Sequence, residues 1–141
     1  MEIKFVRSEN LVRAASFTFE NMRVYYEQFA PSWDASKVLE VTSELENFDI
    51  IYQQEVVGVM RLQFEADCCV LRDLQVLPAA QNKGIGSVAL AEAKRRTLHA
   101  HLNTLKLRVL KISPAVSLYK RNGFVTQSED ERFFNMEAKV S

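Results

Sequence analysis

Two short stretches hold the residues whose types and spacing are best suited to chemistry. The first is Leu74-Gln75-Val76-Leu77-Pro78-Ala79-Ala80-Gln81-Asn82-Lys83-Gly84-Ile85-Gly86-Ser87, with two of the chain's four glycines. It follows strand-forming residues and opens a helical period. The first turn of a helix offers free backbone N–H groups and the positive end of the helix dipole, which together make an anion site. Gly84 and Gly86 carry no Cβ, so a phosphate can approach the backbone; Ser87 adds a hydroxyl and Lys83 a cation. A plain turn, with glycines for geometry alone, fits the same letters. Other phosphate-binding patterns fit worse. A dinucleotide fingerprint needs a third glycine where Ala89 stands. An NTPase loop needs its lysine after the last glycine, and Lys83 precedes Gly84.

The second stretch runs from Ser113 to Phe124. Ser113-Pro114 is a good helix start, a capping side chain followed by proline at the first helical position. Asn122-Gly123 is a good stop, with glycine free to take the left-handed conformation. Tyr119 falls on the last turn, where a phenol either packs or exchanges a proton. Two other sets of reactive residues carry less. Cys68 and Cys69 are adjacent, so a disulfide between them is strained and metal-ligand partners are missing from the sequence around them. Two small buried or half-buried residues in a reducing cytoplasm are expected instead. His99 and His101 lie two apart with no Cys or acidic cluster beside them and read as solvated. No metal is expected.

The elements that must position these stretches follow from the hydrophobic period. Ile3–Arg7 alternates like a strand. Ser8 or Asn10 caps a helix predicted over Leu11–Phe29, ended by Pro31, and a shorter helix follows over Ala35–Leu45 with Asp34 or Ser36 as cap. Phe48–Tyr52, Val56–Phe64 and Cys68–Val76 are rich in β-branched and aromatic residues and are separated by short polar breaks, the pattern of an antiparallel meander. A helix is predicted over Gly84–Leu102, a strand over Leu105–Leu110, a helix over Ser113–Arg121, and a closing strand pair over Phe124–Gln127 and Arg132–Val140. The order β-α-α-β-β-β-α-β-α-β-β predicts an α/β or α+β domain with a mixed sheet.

Composition narrows the partners. The 141 residues contain 18 basic and 18 acidic side chains, so no overall basic footprint points to nucleic acid or anionic lipid. The chain length suits one domain with its own core. No stretch is rich in Ser, Gly or Pro, and no long apolar run marks a signal peptide or membrane span. A cytoplasmic location, with neither nucleic acid nor membrane as partner, is the expectation.

On the two quoted stretches the chain resembles the GNAT superfamily of acetyl-CoA-dependent N-acetyltransferases. Gln81, Asn82, Lys83, Gly84, Ile85 and Gly86 fill the family's Q/R-x-x-G-x-G/A motif. Ala115-Val116-Ser117-Leu118-Tyr119-Lys120-Arg121-Asn122-Gly123-Phe124 is similar to its A-x-x-L-Y-x-x-x-G-F segment. The resemblance implies one domain over residues 1–141. Its mixed, mostly antiparallel central sheet would be splayed between the fourth and fifth strands, with helices on both faces. It implies that acetyl-CoA is the co-substrate, its pantetheine arm pairing with backbone of Leu74, Gln75 and Val76. Its pyrophosphate would then rest on the loop of Gln81, Asn82, Lys83, Gly84, Ile85, Gly86 and Ser87. Tyr119 is implied as the acid that protonates the leaving thiolate. Trp33 lies in a region that borders the family's acceptor groove, as a wall or as a hydrophobic plug. Arg72 is implied to face the acceptor, against the alternative of an ion pair with an acid such as Glu20.

The chain departs from the family pattern in two places. Ile112 stands where many members have Asn seven residues before the tyrosine, and Ser113 follows it. Val70 and Arg72 occupy the positions where members often carry a general-base carboxylate, and neither can take a proton from an ammonium. Asp73 is expected to face the other side of its strand by parity. The base is therefore left among water, the substrate's own amine, and a carboxylate such as Glu20 or Glu27. The implied activity is transfer of acetyl from acetyl-CoA to a primary amine of a small molecule or peptide, by a monomer or homodimer. The alternative from another class is a non-catalytic acyl-CoA-binding or sensor module of the same fold.

Overall fold

The computed structural model describes residues 2–140. Its strands are β1 (Ile3–Arg7), β2 (Glu46–Tyr52), β3 (Glu55–Phe64), β4 (Cys69–Val76), β5 (Thr104–Leu110), β6 (Val125–Glu129) and β7 (Phe133–Lys139). Its helices are α1 (Leu11–Asn21), α2 (Arg23–Phe29), α3 (Ala35–Thr42), α4 (Ile85–His99) and α5 (Ala115–Arg121), with a 3₁₀ turn at Pro78–Ala80. The strands form one seven-stranded mixed sheet in the order β1-β2-β3-β4-β5-β7-β6. The chain divides into two compact units. One holds the described residues up to Arg61 with Asp73–Ile85, the other Leu62–Arg72 with the residues from Gly86 onward.

In the first unit β1 pairs antiparallel with β2, from Ile3 opposite Tyr52 to Arg7 opposite Phe48. β2 and β3 are joined by only Gln53 and Gln54, both at positive φ (51° and 68°), the backbone of a tight hairpin turn. α1 starts where Asn10 Oδ1 accepts from Arg13 N at 2.9 Å, and α3 where Asp34 Oδ1 accepts from Lys37 N at 2.9 Å. Each side chain satisfies one of the orphan donors of a helix start. The single helix expected over Leu11–Phe29 is instead two, because Met22 leaves the helical conformation (φ −104°, ψ 8°) and closes one while opening the other. The apolar period continues across that break, which is why the sequence pattern does not reveal it. α1 packs on α3, burying Ala14, Ala15, Thr18 and Val38.

At the centre of this unit lies a charge. Arg61 of β3 has a fully buried side chain. Its Nε donates to Asn47 Oδ1 at 2.7 Å, and its Nη1 to Thr18 Oγ1 at 2.6 Å and Asp73 Oδ2 at 2.5 Å. Gln75 Nε2 donates to the other Asp73 oxygen at 2.6 Å, and Asn21 Nδ2 to Gln75 Oε1 at 2.7 Å. Three strands and a helix are thus tied by one polar chain. Nη2 of Arg61 is buried with no hydrogen-bond partner among the described residues. Gly58 lets β3 come close to β4: a Cβ there would sit 2.3 Å from Gln75 O.

In the second unit β4 and β5 run parallel, with Cys69, Val70 and Leu71 opposite Leu105, Lys106 and Leu107. β7 lies antiparallel between β5 and β6, and its ladder with β6 shifts register between Thr126 and Ser128. The apolar face of α4 (Ala89, Leu90, Ala93) and the strand residues Leu105, Leu107, Val109, Met136 and Ala138 are buried.

Removing one partner of a buried ion pair leaves the other charged and unpaired, at a cost of roughly 3–5 kcal/mol. Asp73→Asn is therefore expected to lower the unfolding free energy by about that amount in urea titration. The double replacement Arg61→Met with Asp73→Leu should lose less than Asp73→Asn alone. A loss of surface-substitution size in the single variant would show that the pair is dispensable.

Candidate functional site

The glycine loop leaves β4 through the 3₁₀ turn and changes hand twice before the helix begins. Asn82 has φ +62° and Gly84 φ +83°. Gly84 is thus glycine because a Cβ is disfavoured in that conformation. Residues 81–84 are exposed, and α4 begins at the buried Ile85. Gln81 turns back on its own strand: its Nε2 donates to Val76 O at 2.9 Å, an oxygen that also receives Asn21 Nδ2 at 3.4 Å. The side chain of Gln75 is spent inside the first unit, on Asp73 and Asn21.

Gly86 has a different reason. A Cβ there would stand 2.8 Å from Leu118 Cδ2, so this glycine lets the first turn of α4 meet α5 closely. Phosphate access is not needed to explain it. Ser87 Oγ accepts from Asn122 Nδ2 at 3.1 Å, and Lys94 Nζ donates to Asn122 O. α5 starts at Ala115, two residues later than expected, with Pro114 as its N-cap and Ser113 Oγ accepting from Ala115 N at 3.1 Å, and it stops before Gly123, whose φ is +89°. Tyr119 is buried. Its ring meets Phe124 edge-on at 5.7 Å, and the Lys94 ammonium lies 5.6 Å from the centre of the Phe124 ring.

In the first unit Phe19, Tyr26 and Trp33 form an aromatic row, with ring centres 5.8 Å and 5.6 Å apart. Lys37 Nζ lies 5.9 Å from the Trp33 ring. Burial pushes the Tyr26 phenol up to about 12; the Asp73 charge adds to this and the Arg61 charge opposes it. Arg72 is exposed and its Nη1 donates to Gln63 Oε1 at 2.6 Å. Glu20, offered as its alternative partner, pairs with Arg23 one helical turn away. Strict strand parity also fails here. Arg72 and Asp73 are neighbours, yet they bond to Gln63 and Arg61, two apart on β3, so one strand departs from simple alternation.

Cys68 and Cys69 are free and buried. Burial and a hydrogen bond to Glu65 push the Cys68 thiol up to about 11. The sequence reading that ligand partners are missing near the cysteines needs amending. Glu65, Asp67 and Cys68 bring their ligand atoms within 4.8 Å of one another at the β3–β4 turn, although both carboxylates are exposed, as in a solvated turn. His99 and His101 are exposed. Among the described residues no helix is long and apolar enough to cross a membrane.

Residues 45–126 match the family model of the acetyltransferase (GNAT) domain, more than half of the chain and both quoted stretches. The chain belongs to the GNAT acetyltransferase family. The fold of this acetyltransferase is that of several solved structures. One is PaiA N-acetyltransferase from Thermoplasma acidophilum in complex with coenzyme A, with 24% identity and a TM-score of 0.79 over 99% of this chain and 100% of that one. Another is the ribosomal-protein-S18-alanine N-acetyltransferase from Escherichia coli, at 20% identity and TM-score 0.75 over 99% and 95%. A third is a GNAT acetyltransferase from Elizabethkingia anophelis with acetyl-CoA bound, at 14% identity and TM-score 0.72 over 98% of each chain. No curated protein sequence matches the acetyltransferase.

Sequence reasoning missed Asn122 as a contact of Ser87, reading it only as part of a helix stop. It also missed the set of Arg61, Asn21 and Gln75 around Asp73. The signal for the second was available: an arginine in the middle of the apolar strand Val56–Phe64 needs a counter-charge.

Overpacking a close helix contact costs roughly 1–3 kcal/mol, so Gly86→Val is expected to lower stability by about that amount. The loss should shrink in a Leu118→Ala background, as read by denaturant melts of the four proteins. Equal losses in both backgrounds would mean that the Leu118 contact is not why this residue is glycine.

Proposed function

We propose that the chain acts over residues 1–141 as one N-acetyltransferase domain that moves acetyl from acetyl-CoA to a primary amine of a small molecule or peptide. What carries the reading is that one family match, over residues 45–126, contains both the glycine loop and the Tyr119 helix. The solved structures with CoA or acetyl-CoA bound support the choice of donor. In this reading the pyrophosphate rests on Gln81, Asn82, Lys83, Gly84, Ile85, Gly86 and Ser87. The pantetheine arm pairs with backbone of Leu74, Gln75 and Val76. The positive-φ turn at Asn82 and Gly84, followed at once by the first turn of α4, suits such an anion. Trp33 and Arg72 are proposed on the acceptor side. The balanced charge and the absence of an apolar spanning helix among the described residues agree with a cytoplasmic enzyme.

The reaction needs two proton movements. The neutral amine nitrogen attacks the thioester carbonyl carbon, the C–S bond breaks, and the thiolate takes a proton while the new amide nitrogen loses one. Tyr119 is the proposed acid toward the sulfur. Its burial against Phe124 gives the hydroxyl a fixed bearing, because the ring cannot swing. Its O–H is the group that hands a proton to the sulfur as the C–S bond breaks.

General acid catalysis is worth on the order of a hundred- to ten-thousand-fold. Thiolate is already a fair leaving group, so Tyr119→Phe is expected to lower kcat by about a hundredfold. The KM for acetyl-CoA should be nearly unchanged, measured as free-thiol release in a broad amine screen. Wild-type turnover in the variant would remove Tyr119 from the chemistry. A wild-type chain that binds acetyl-CoA but releases thiol with no amine would be a sensor module instead.

A further inference from the structure

Asn122 ends α5 and touches the first turn of α4 at the same time, within the second unit. Its Nδ2 donates to Leu118 O at 2.8 Å and to Ser87 Oγ at 3.1 Å. A main-chain carbonyl only accepts, so the Leu118 contact decides which end of the amide is the nitrogen. Both amide hydrogens are then committed, one to each partner. Ser87 consequently spends a lone pair on Asn122, and its own hydrogen is left to donate elsewhere. The amide itself is well held. Asn122 N donates to Leu118 O at 3.2 Å and Tyr119 O at 3.0 Å, Lys94 Nζ donates to Asn122 O, and Gly86 brings Leu118 against the same turn.

Thr18 and Thr97, deeper in their helices, spend their protons on Ala14 O and Ala93 O four residues earlier. Ser87 stands in the first turn of α4, and the residue four before it, Lys83, precedes the helix. Asn122 holds Ser87 Oγ by a lone pair, which leaves the Ser87 hydrogen for a ligand. We propose that Asn122 is a positioning residue for the acetyl donor, which fixes the Ser87 hydroxyl as a hydrogen-bond donor toward the pyrophosphate. The proposal rests on the reading of residues 81–87 as the pyrophosphate loop.

The test is calorimetric titration of CoA into the wild type, Ser87→Ala, Asn122→Ala, Asn122→Asp and the double Ser87→Ala/Asn122→Ala, with thermal melts beside it. A hydrogen bond to a charged group is worth about tenfold in affinity, so Ser87→Ala and Asn122→Ala should each weaken CoA by about tenfold. The double should lose no more than either single, a coupling that a general loosening of the fold does not produce. Asn122→Asp should lose more than Asn122→Ala, because a carboxylate draws the Ser87 proton to itself and sets an anion beside the phosphate. The same losses are expected with 3′-dephospho-CoA, which keeps the pyrophosphate. Wild-type affinity in folded Asn122→Ala, or losses that multiply in the double, overturns the proposal. If Asn122→Ala does not fold, wild-type affinity in the near-isosteric Asn122→Asp overturns it in the same way. CoA binding by the wild type with no effect of Ser87→Ala overturns the role of Ser87 and Asn122 and leaves the loop reading standing. Failure of the wild type to bind CoA overturns the loop reading itself.

Discussion

A guanidinium without exposed surface in the middle of β3 is the constraint around which the first unit is arranged. Burying Arg61 is unfavourable unless its charge is matched and its hydrogens are taken up. Asn47, Thr18 and Asp73 match the charge and take up the hydrogens of Nε and Nη1 from β2, α1 and β4, while Nη2 has no partner among the described residues. Each of those residues is thereby fixed in place, and Asp73 passes the constraint on through Gln75 to Asn21. Polar pairs of this kind specify an arrangement more sharply than apolar contacts do, because a small displacement leaves a donor empty. The stretch of β4 so fixed, Asp73–Val76, is the one that leads into the glycine loop. Rigidity at the loop's entrance thus comes from side chains in the core.

The glycines show how one residue type answers to separate demands. Gly84 and Gly123 are required by positive φ, Gly58 by the backbone of β4, and Gly86 by a methyl of Leu118. Only Gly84 has a reason confined to the loop's own backbone. The G-x-G spelling therefore joins a conformational requirement to a packing one, and the two would respond differently to replacement by alanine. Gly84 would strain its backbone, whereas Gly86 would press on a side chain that has other rotamers.

Much of the fold was legible because its signals are local. Asn10 and Asp34 cap the helices they precede, Gln53-Gln54 breaks two strands, and Ser113-Pro114 and Gly123 bracket α5, each within a few residues of the element it controls. The break at Met22 was not legible, since the apolar stripe runs through it unchanged. At the candidate site, the loop and the Tyr119 helix could be found from short spacings. The ties around them could not. Asn21 and Gln75, or Ser87 and Asn122, are far apart in the chain, and each residue taken alone looks like an ordinary polar side chain. Parity misled at Arg72–Asp73 because it assumes an unbroken alternation, which these strands do not keep.

The strand order of the second unit has a consequence for synthesis. β7 lies between β5 and β6, so the two earlier strands are separated by one that leaves the ribosome after both. Until Phe133–Lys139 emerge, β5 keeps an open row of backbone donors and acceptors along one side, and β6 has no strand to lie against. Such an edge on a nascent chain invites pairing with neighbours. The unit that carries Tyr119 thus completes its sheet only once β7 has emerged. A chain cut before residue 133 would carry both the glycine loop and the Tyr119 helix, yet leave one edge of β5 unpaired.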